Sequence, residues 1–217
     1  SPDAIIIVRH HFHVLAASSA GFKDIRYLVP SIAITQWQSE MPIMRPFKWL
    51  VRTSKNLLDG FLQKRAFMFS KPFVFSSLMA EEVKNYLPKG LDASIIRTVK
   101  PGIDPVRFRC VGMEEKLSLR YKLGLPIEKK LILFVGRFVH AKGLDYLVDA
   151  AEFLTEECSI ILVGGGPNEY RIRERIHRLG LDSKVILVER TSNAEDYFRA
   201  CDIFVMSSTF EPFGQTI

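Results

Sequence analysis

Arg137 and Lys142 bracket a turn in which charge chemistry is available. They close the stretch Leu131–Lys142, LILFVGRFVHAK, which reads as a buried strand, a turn at Gly136 and the entrance to an amphipathic helix. Two cations at the carboxyl end of a parallel strand are placed to hold a pair of phosphates, although two solvated surface cations would leave the same pattern. Gly136 lets the backbone pass close to a ligand. A second feature, Gly164-Gly165-Gly166-Pro167, follows the apolar run Cys158–Val163. Its glycines offer bare backbone N–H groups, and Pro167 suits a first helical turn. It matches neither GxGxxG nor GxxxxGK[ST], which weakens a dinucleotide or P-loop reading, and a tight strand-to-helix turn explains it equally. A third, Glu211, precedes Pro-Phe-Gly where a helix opens. Its carboxylate can accept hydrogen bonds from hydroxyls or cap that helix, while the N–H groups of Phe213 and Gly214 can meet a ligand at the helix mouth. Cations for phosphate beside a carboxylate for hydroxyls favour a sugar nucleotide over a free anion.

These residues need a sheet to gather them. From Leu131 onward the chain alternates strand and helix: strands at Leu131–Val135, Cys158–Val163, Lys184–Val188 and Ile203–Met206, with helices after Gly143, after Pro167 and from Ser192 or Asn193. Leu144, Leu147, Val148, Ala151 and Leu154 form one buried stripe, and Ile172, Ile176 and Leu179 another. This is the pattern of an open parallel sheet with helices on both faces and right-handed connections. The turns after its first, second and fourth strands share one edge, bringing Arg137, Lys142, Gly164–Gly166 and Glu211–Gly214 to one crevice.

The first half repeats the construction more loosely. Strands are expected at Ala4–Val8, Ile25–Val29, from Pro72, and at Ile95–Val99; helices at Val14–Ala20, Phe47–Leu62 and Leu78–Leu87, the last capped by Ser76 or Ser77 with Met79 and Val83 inward. Ser31–Pro46 shows no period and reads as a loop. Arg9, His10, His11 and His13 follow the first strand as a polar strand end, and one histidine there can face a ligand cleft; their spacing fits no common metal site. In Phe47–Leu62 the apolar face is Phe47, Leu50, Leu57, Leu58, Phe61 and Leu62, with Lys48, Arg52 and Lys55 opposite. Such a helix either packs on a sheet or lies on an anionic membrane surface. Turn formers around Pro101-Gly-Ile-Asp-Pro divide the chain into a partial domain 1–103 and a second, 104–217.

Bulk properties exclude several classes. The formal charge of +6 equals that of residues 41–71, which carry seven cations and one acid, so the basic character is a local surface rather than a nucleic-acid-binding composition. Cys110, Cys158 and Cys201 form no CxxC pair and read as reduced, buried thiols. No apolar run reaches the roughly 18 residues a membrane-crossing helix needs. Neither end has the look of a natural terminus: no signal-peptide pattern opens the chain and no closing helix ends it, so a cytoplasmic fragment is expected, with or without peripheral contact with an anionic membrane.

GRFVHAKG, GGGP and CDIFVMSSTFEPFG, with PGIDPVRF upstream, together resemble the retaining GT-B glycosyltransferases of glycosyltransferase family 4, over about residues 68–217. The spacing GR-x4-KG followed by S-x2-EPFG carries most of that resemblance. It implies an α/β fold of GT-B type, two Rossmann-like domains with parallel sheets facing a cleft, both incomplete here. The donor nucleotide sugar would sit on the second domain and the acceptor on the first. By resemblance Arg137 and Lys142 bind the donor diphosphate, Gly136, Gly164 and Gly165 lie by the phosphates, and Glu211 contacts the transferred sugar. Phe213 and Gly214 add backbone contacts, and His10 is the nearest candidate for a histidine that helps hold the sugar. Glu211 is the first acid of an E-x7-E motif whose second acid would fall two residues beyond Ile217, and the glycine-rich loop of the family's N-terminus is also missing, so the fragment itself is expected to be inactive. The implied reaction moves a sugar from a nucleotide-diphosphate-sugar donor to an acceptor hydroxyl on a glycan, lipid or small molecule, with retention and without a metal or other cofactor. A non-catalytic GT-B-like subunit, or an epimerase or phosphorylase of that shape, is the alternative.

Overall fold

The computed structural model describes residues 2–33, 46–209 and 211, and of residues 46–52 the backbone alone. The chain divides into two compact units between Pro101 and Gly102.

In the first unit, β1 (Ile5–Val8), β2 (Asp24–Leu28), β3 (Lys71–Val74) and β4 (Arg97–Thr98) form a parallel sheet in the order β1-β2-β3-β4. Helices α1 (His11–Ser19), α2 (Pro46–Phe67) and α3 (Ser77–Tyr86) connect them. Ile25, Tyr27, Val74, Ala66, Phe67, Met79 and Val83 pack into one core. Ser76 caps α3, its hydroxyl accepting from the Met79 N–H at 3.1 Å, as its residue type suggests. The expected strand Ile95–Val99 shortens to two residues because Ala93–Ile95 closes a 3-10 turn capped by Asp92. The expected loop over Ser31–Pro46 lies, at 34–45, outside the described residues.

One expectation for this unit is overturned, and one of two readings of its long helix is set aside. His11 and His13 do not form a polar strand end: the strand stops at Val8 and both lie in the first turn of α1. Along α2, Leu57, Leu58 and Phe61 point outward instead of into the core. The reason is Gln63, which is buried and takes the inward side. It donates to the Tyr27 hydroxyl and the Ser31 carbonyl at 3.1 and 2.9 Å and accepts from the Ala33 N–H at 2.8 Å. A satisfied buried amide sets the rotation of the helix against the hydrophobic count.

The second unit begins with α4 (Met113–Lys122) and continues through β5 (Lys130–Arg137), α5 (Leu144–Ala150), β6 (Cys158–Gly165), α6 (Glu169–Arg178), β7 (Val185–Val188), α7 (Ala194–Ala200) and β8 (Ile203–Phe204). Its parallel sheet runs β7-β6-β5-β8. The strands are apolar through their central residues because both faces are covered. Phe134, Ile160 and Leu162 meet α5 and α6 through Leu144, Leu147, Val148, Ile172 and Ile176. Leu131, Leu133, Ile161 and Val163 meet α4 and α7 through Leu119, Tyr197 and Ala200. Buried Arg120 ties α4 to the base of the sheet, donating to the carbonyls of Ala200, Ile127 and Lys129 and to the Asp202 carboxylate. The fourth strand is shorter than the expected Ile203–Met206, although the Val205 N–H still donates to the Leu133 carbonyl at 2.8 Å.

Candidate functional site

The carboxyl ends of β5, β6 and β7 open into a cavity of about 560 Å³, lined by Gly136 and Arg137 from β5, Gly164–Gly166 from the end of β6, and Arg190, Thr191 and Ala194 after β7. That volume lies in the range of small-molecule sites. Arg137 is the last residue of β5 and pairs with Gly165 across the sheet. Its guanidinium is exposed and, among the described residues, engages no carboxylate. Arg190 is likewise exposed. The described lining therefore offers two guanidinium forks and no acid, a suitable surround for a phosphate or diphosphate.

The glycines hold this floor in shape. Gly136 is not a turn residue, as the sequence suggests, but remains in the strand opposite Gly164. Gly164 has φ +144°, and a β-carbon there would lie 1.9 Å from the Gly136 carbonyl oxygen. Gly166, at φ +156°, would place one 2.8 Å from the Phe138 carbonyl. Around them the chain is laced shut: the Phe138 N–H donates to Gly165 O at 2.9 Å and the Asn168 N–H to Phe138 O at 3.0 Å. Close backbone approach is thus the reason for Gly164 and Gly166, and both still line the cavity. Pro167 falls in the turn rather than in the helix, which starts at Glu169 after Asn168.

Lys142 ends a 3-10 turn, His140–Lys142, before α5. Its ammonium is paired with the Glu211 carboxylate, and the Ser208 hydroxyl donates to the same carboxylate at 3.3 Å. The segment after β8 is strapped to this turn: the Ser207 hydroxyl donates to Lys142 O at 2.8 Å and the Thr209 N–H to Ala141 O at 2.9 Å. Gly143, with φ +62°, makes room for the strap, since a β-carbon there would lie 2.0 Å from the Ser207 carbonyl oxygen. The structure therefore sets Arg137 and the glycines at the cavity and joins Lys142 to Glu211 beside the same strand. Phe213, Gly214 and the helix expected there lie outside the described residues.

His10 belongs to the first unit, where it precedes α1 and its Nδ1 accepts from the Phe12 N–H at 3.3 Å. Neighbouring His11 is buried, with Nε2 3.7 Å from Asp59, and its pKa is lowered by desolvation and by His10. Among the described residues no group of three or more His, Cys, Asp or Glu side chains is placed to hold a metal ion.

Arg190, Thr191 and Ala194 escape the sequence reading, which gathers the turns after the first, second and fourth strands only. The signal was present: Arg190 stands at the carboxyl end of VILVE much as Arg137 stands at the end of LILFVG.

Residues 115–217 match the family of glycosyl transferases, group 1. The matched stretch covers most of the second unit and all the cavity-lining positions. The D-inositol 3-phosphate glycosyltransferase of Xylanimonas cellulosilytica is 37% identical over 135 residues, 58% of this chain and 32% of that protein. The lipopolysaccharide core biosynthesis mannosyltransferase LpsB of Rhizobium meliloti is 33% identical over 223 positions, covering 91% of this chain and 60% of that protein. The chain thus spans less than two thirds of either relative. Among solved structures, HepE of Anabaena, in complex with UDP and glucose, superposes with a TM-score of 0.77 at 20% identity, covering 98% of this chain and 55% of that one. Likeness at this identity shows the fold, which is of GT-B type.

Proposed function

We propose that this protein is a retaining glycosyltransferase that moves a sugar from a nucleotide-diphosphate-sugar donor to an acceptor hydroxyl. One observation carries the reading: an acid-free cavity lining with Arg137 and Arg190 over a glycine floor, beside the Lys142–Glu211 pair, within a segment matching the glycosyl transferases, group 1. The second unit takes the donor and the first takes the acceptor. Arg137 and Lys142 hold the diphosphate, and Glu211 turns to the hydroxyls of the transferred sugar. As the bond from the anomeric carbon to the diphosphate breaks, negative charge grows on the departing oxygen, and the two cations stabilise it where it develops. The acceptor hydroxyl attacks the face that the diphosphate leaves and passes its proton to the leaving phosphate, so the configuration is retained and no divalent metal is required. HepE binds UDP and glucose, which makes a uridine diphosphate sugar the first donor to try. The acceptor is a glycan, a lipid or a small molecule, and the protein works in the cytoplasm, in peripheral contact with membrane where the acceptor is lipid-borne.

Calorimetric titration of the purified protein with UDP, GDP, ADP and their hexose conjugates tests this. One nucleotide should bind, and Arg137→Ala and Lys142→Ala should each weaken it by roughly tenfold or more, the scale of a lost charge-assisted contact. A folded protein that binds none of them would leave a non-catalytic subunit as the better account.

A further inference from the structure

The outward face of α2 has a composition opposite to that of an ordinary surface helix. Leu57, Leu58 and Phe61 share one face by their spacing, and they are 63, 57 and 63% exposed. Met68, just past the helix, is 61% exposed. Single exposed apolar residues are ordinary, but a contiguous row marks a surface that meets something.

Charge says what it meets. Lys64 and Arg65 fall three and four residues after Phe61, on the same face, and Lys55, three residues before Leu58, stands at its margin. None of the three is in an ion pair among the described residues; Lys64 lies over the Tyr86 ring at 4.7 Å. Asp59, the one acid between residues 41 and 71, points instead toward His11 at 3.7 Å. Lys71 is occupied by Asp24 at 3.0 Å. The face therefore presents apolar side chains flanked by uncompensated cations and no acid. A protein partner would need an acidic rim around an apolar seat, whereas anionic headgroups over acyl chains match the arrangement along the whole length of a helix lying in the interface. No described helix is long and apolar enough to cross a membrane, so contact would be in-plane.

We propose that this face of α2 docks the first unit onto an anionic lipid bilayer, with Leu57, Leu58 and Phe61 entering the headgroup boundary and Lys55, Lys64 and Arg65 pairing with lipid phosphates. The proposal concerns a surface far in sequence from the donor cavity and stands whether or not that cavity takes a nucleotide sugar. The test is flotation of the purified protein with vesicles of phosphatidylcholine alone and of phosphatidylcholine mixed with phosphatidylglycerol. Binding is expected to the mixed vesicles only, and to fall as salt rises. The variant Lys55→Gln/Lys64→Gln/Arg65→Gln should bind roughly a hundredfold more weakly, and Leu57→Ser/Leu58→Ser/Phe61→Ser roughly tenfold or more. Circular dichroism and nucleotide titration of both variants, which change exposed side chains only, should match the parent. Absence of binding by the parent, or variants that bind as it does, overturns the proposal. So does a parent dimer in analytical ultracentrifugation that the serine variant dissolves, since the face would then be a protein interface.

Discussion

Glu211→Gln should tighten the binding of a bare nucleoside diphosphate while removing sugar transfer. The Lys142 ammonium is taken up by the Glu211 carboxylate, and both side chains are mostly withdrawn from water, at 22 and 18% exposure. A diphosphate that recruits Lys142 must first break this pair. Exposed ion pairs contribute about 0–1 kcal/mol and hydrogen bonds to charged groups about 1.5–3, so a pair this sheltered opposes binding by roughly 1–2 kcal/mol. A glutamine still accepts a hydrogen bond but carries no charge, which recovers part of that, or about a three- to tenfold lower Kd. Lys142→Met should raise Kd by roughly ten- to a hundredfold. The double variant should resemble Lys142→Met alone, because without the ammonium nothing remains for Glu211 to sequester; that non-additivity is the signature of a coupled pair. Calorimetry with the best-binding of UDP, GDP and ADP reads all four Kd values, and transfer by the full-length protein from the matching sugar nucleotide reads the loss of activity. If Glu211→Gln weakens the bare nucleotide as much as Lys142→Met does, or if the two effects simply add, the pair is not a gate on the cation and the reasoning fails.

Two further outcomes follow from the same framework. Gly164→Ala meets both a forbidden φ and the Gly136 carbonyl at 1.9 Å, whereas Gly180→Ala, at φ +66° with nothing within 4 Å, meets the first alone. Thermal melts should show Gly180→Ala losing about 1–2 kcal/mol and Gly164→Ala clearly more, with nucleotide binding lost only in the second; equal losses would remove the close strand approach as its cause. Burial raises the pKa of Asp202, but the Leu131 N–H, Lys116 and Arg120 outweigh it and bring the group from its ordinary 3.8 to about 2. A lowered pKa contributes stability that is full above the unfolded value and lost as pH falls through the folded one, here about 2 kcal/mol lost between about pH 4 and 2. Acid-range melts should show that decline in the parent and a flatter profile, from a lower starting Tm, in Asp202→Asn.

The second unit was more legible than the first because its signals are redundant. Leu131–Val135 and Ile160–Val163 are continuous apolar runs of strands buried on both faces, and Leu144, Leu147, Val148 and Ala151 repeat at helical offsets; the core contains all of these. Where one polar residue decides, pattern misleads. Gln63 is a single letter in α2, yet its three hydrogen bonds turn the helix so that Leu57, Leu58 and Phe61 face out. Gly136 reads as a turn because glycine usually marks one, but it stays in β5, and it is Gly164, remote in sequence and adjacent only in register, that needs to be glycine because the Gly136 carbonyl leaves no room for a β-carbon there. Arg190 carries a weaker signal: it ends an apolar run as Arg137 does but has no glycine beside it, and the sheet order is what shows that β7 opens onto the same cavity as β5 and β6. Nothing in the spacing of Lys142 and Glu211 shows that they pair, since the contact depends on the strap from Ser207 to Thr209.

That sheet order also bears on the kind of ligand. After β5 the chain builds outward through β6 to β7, then returns to place β8 on the far side of β5. The reversal puts the segment carrying Glu211 against the turn carrying Lys142, at one end of a row of strand ends whose other end carries Arg190. Neighbouring strands lie about 4.8 Å apart, so the row from β8 to β7 is roughly 14 Å long. A free phosphate would occupy one step of it. A molecule that uses the Glu211–Lys142 pair at one end, Arg137 in the middle and Arg190 at the other must be elongated, with hydroxyls first, a diphosphate next and a further group beyond. A nucleotide sugar has that order of parts, and the alignment of Glu211, Lys142, Arg137 and Arg190 along one edge is what favours it over a simple anion.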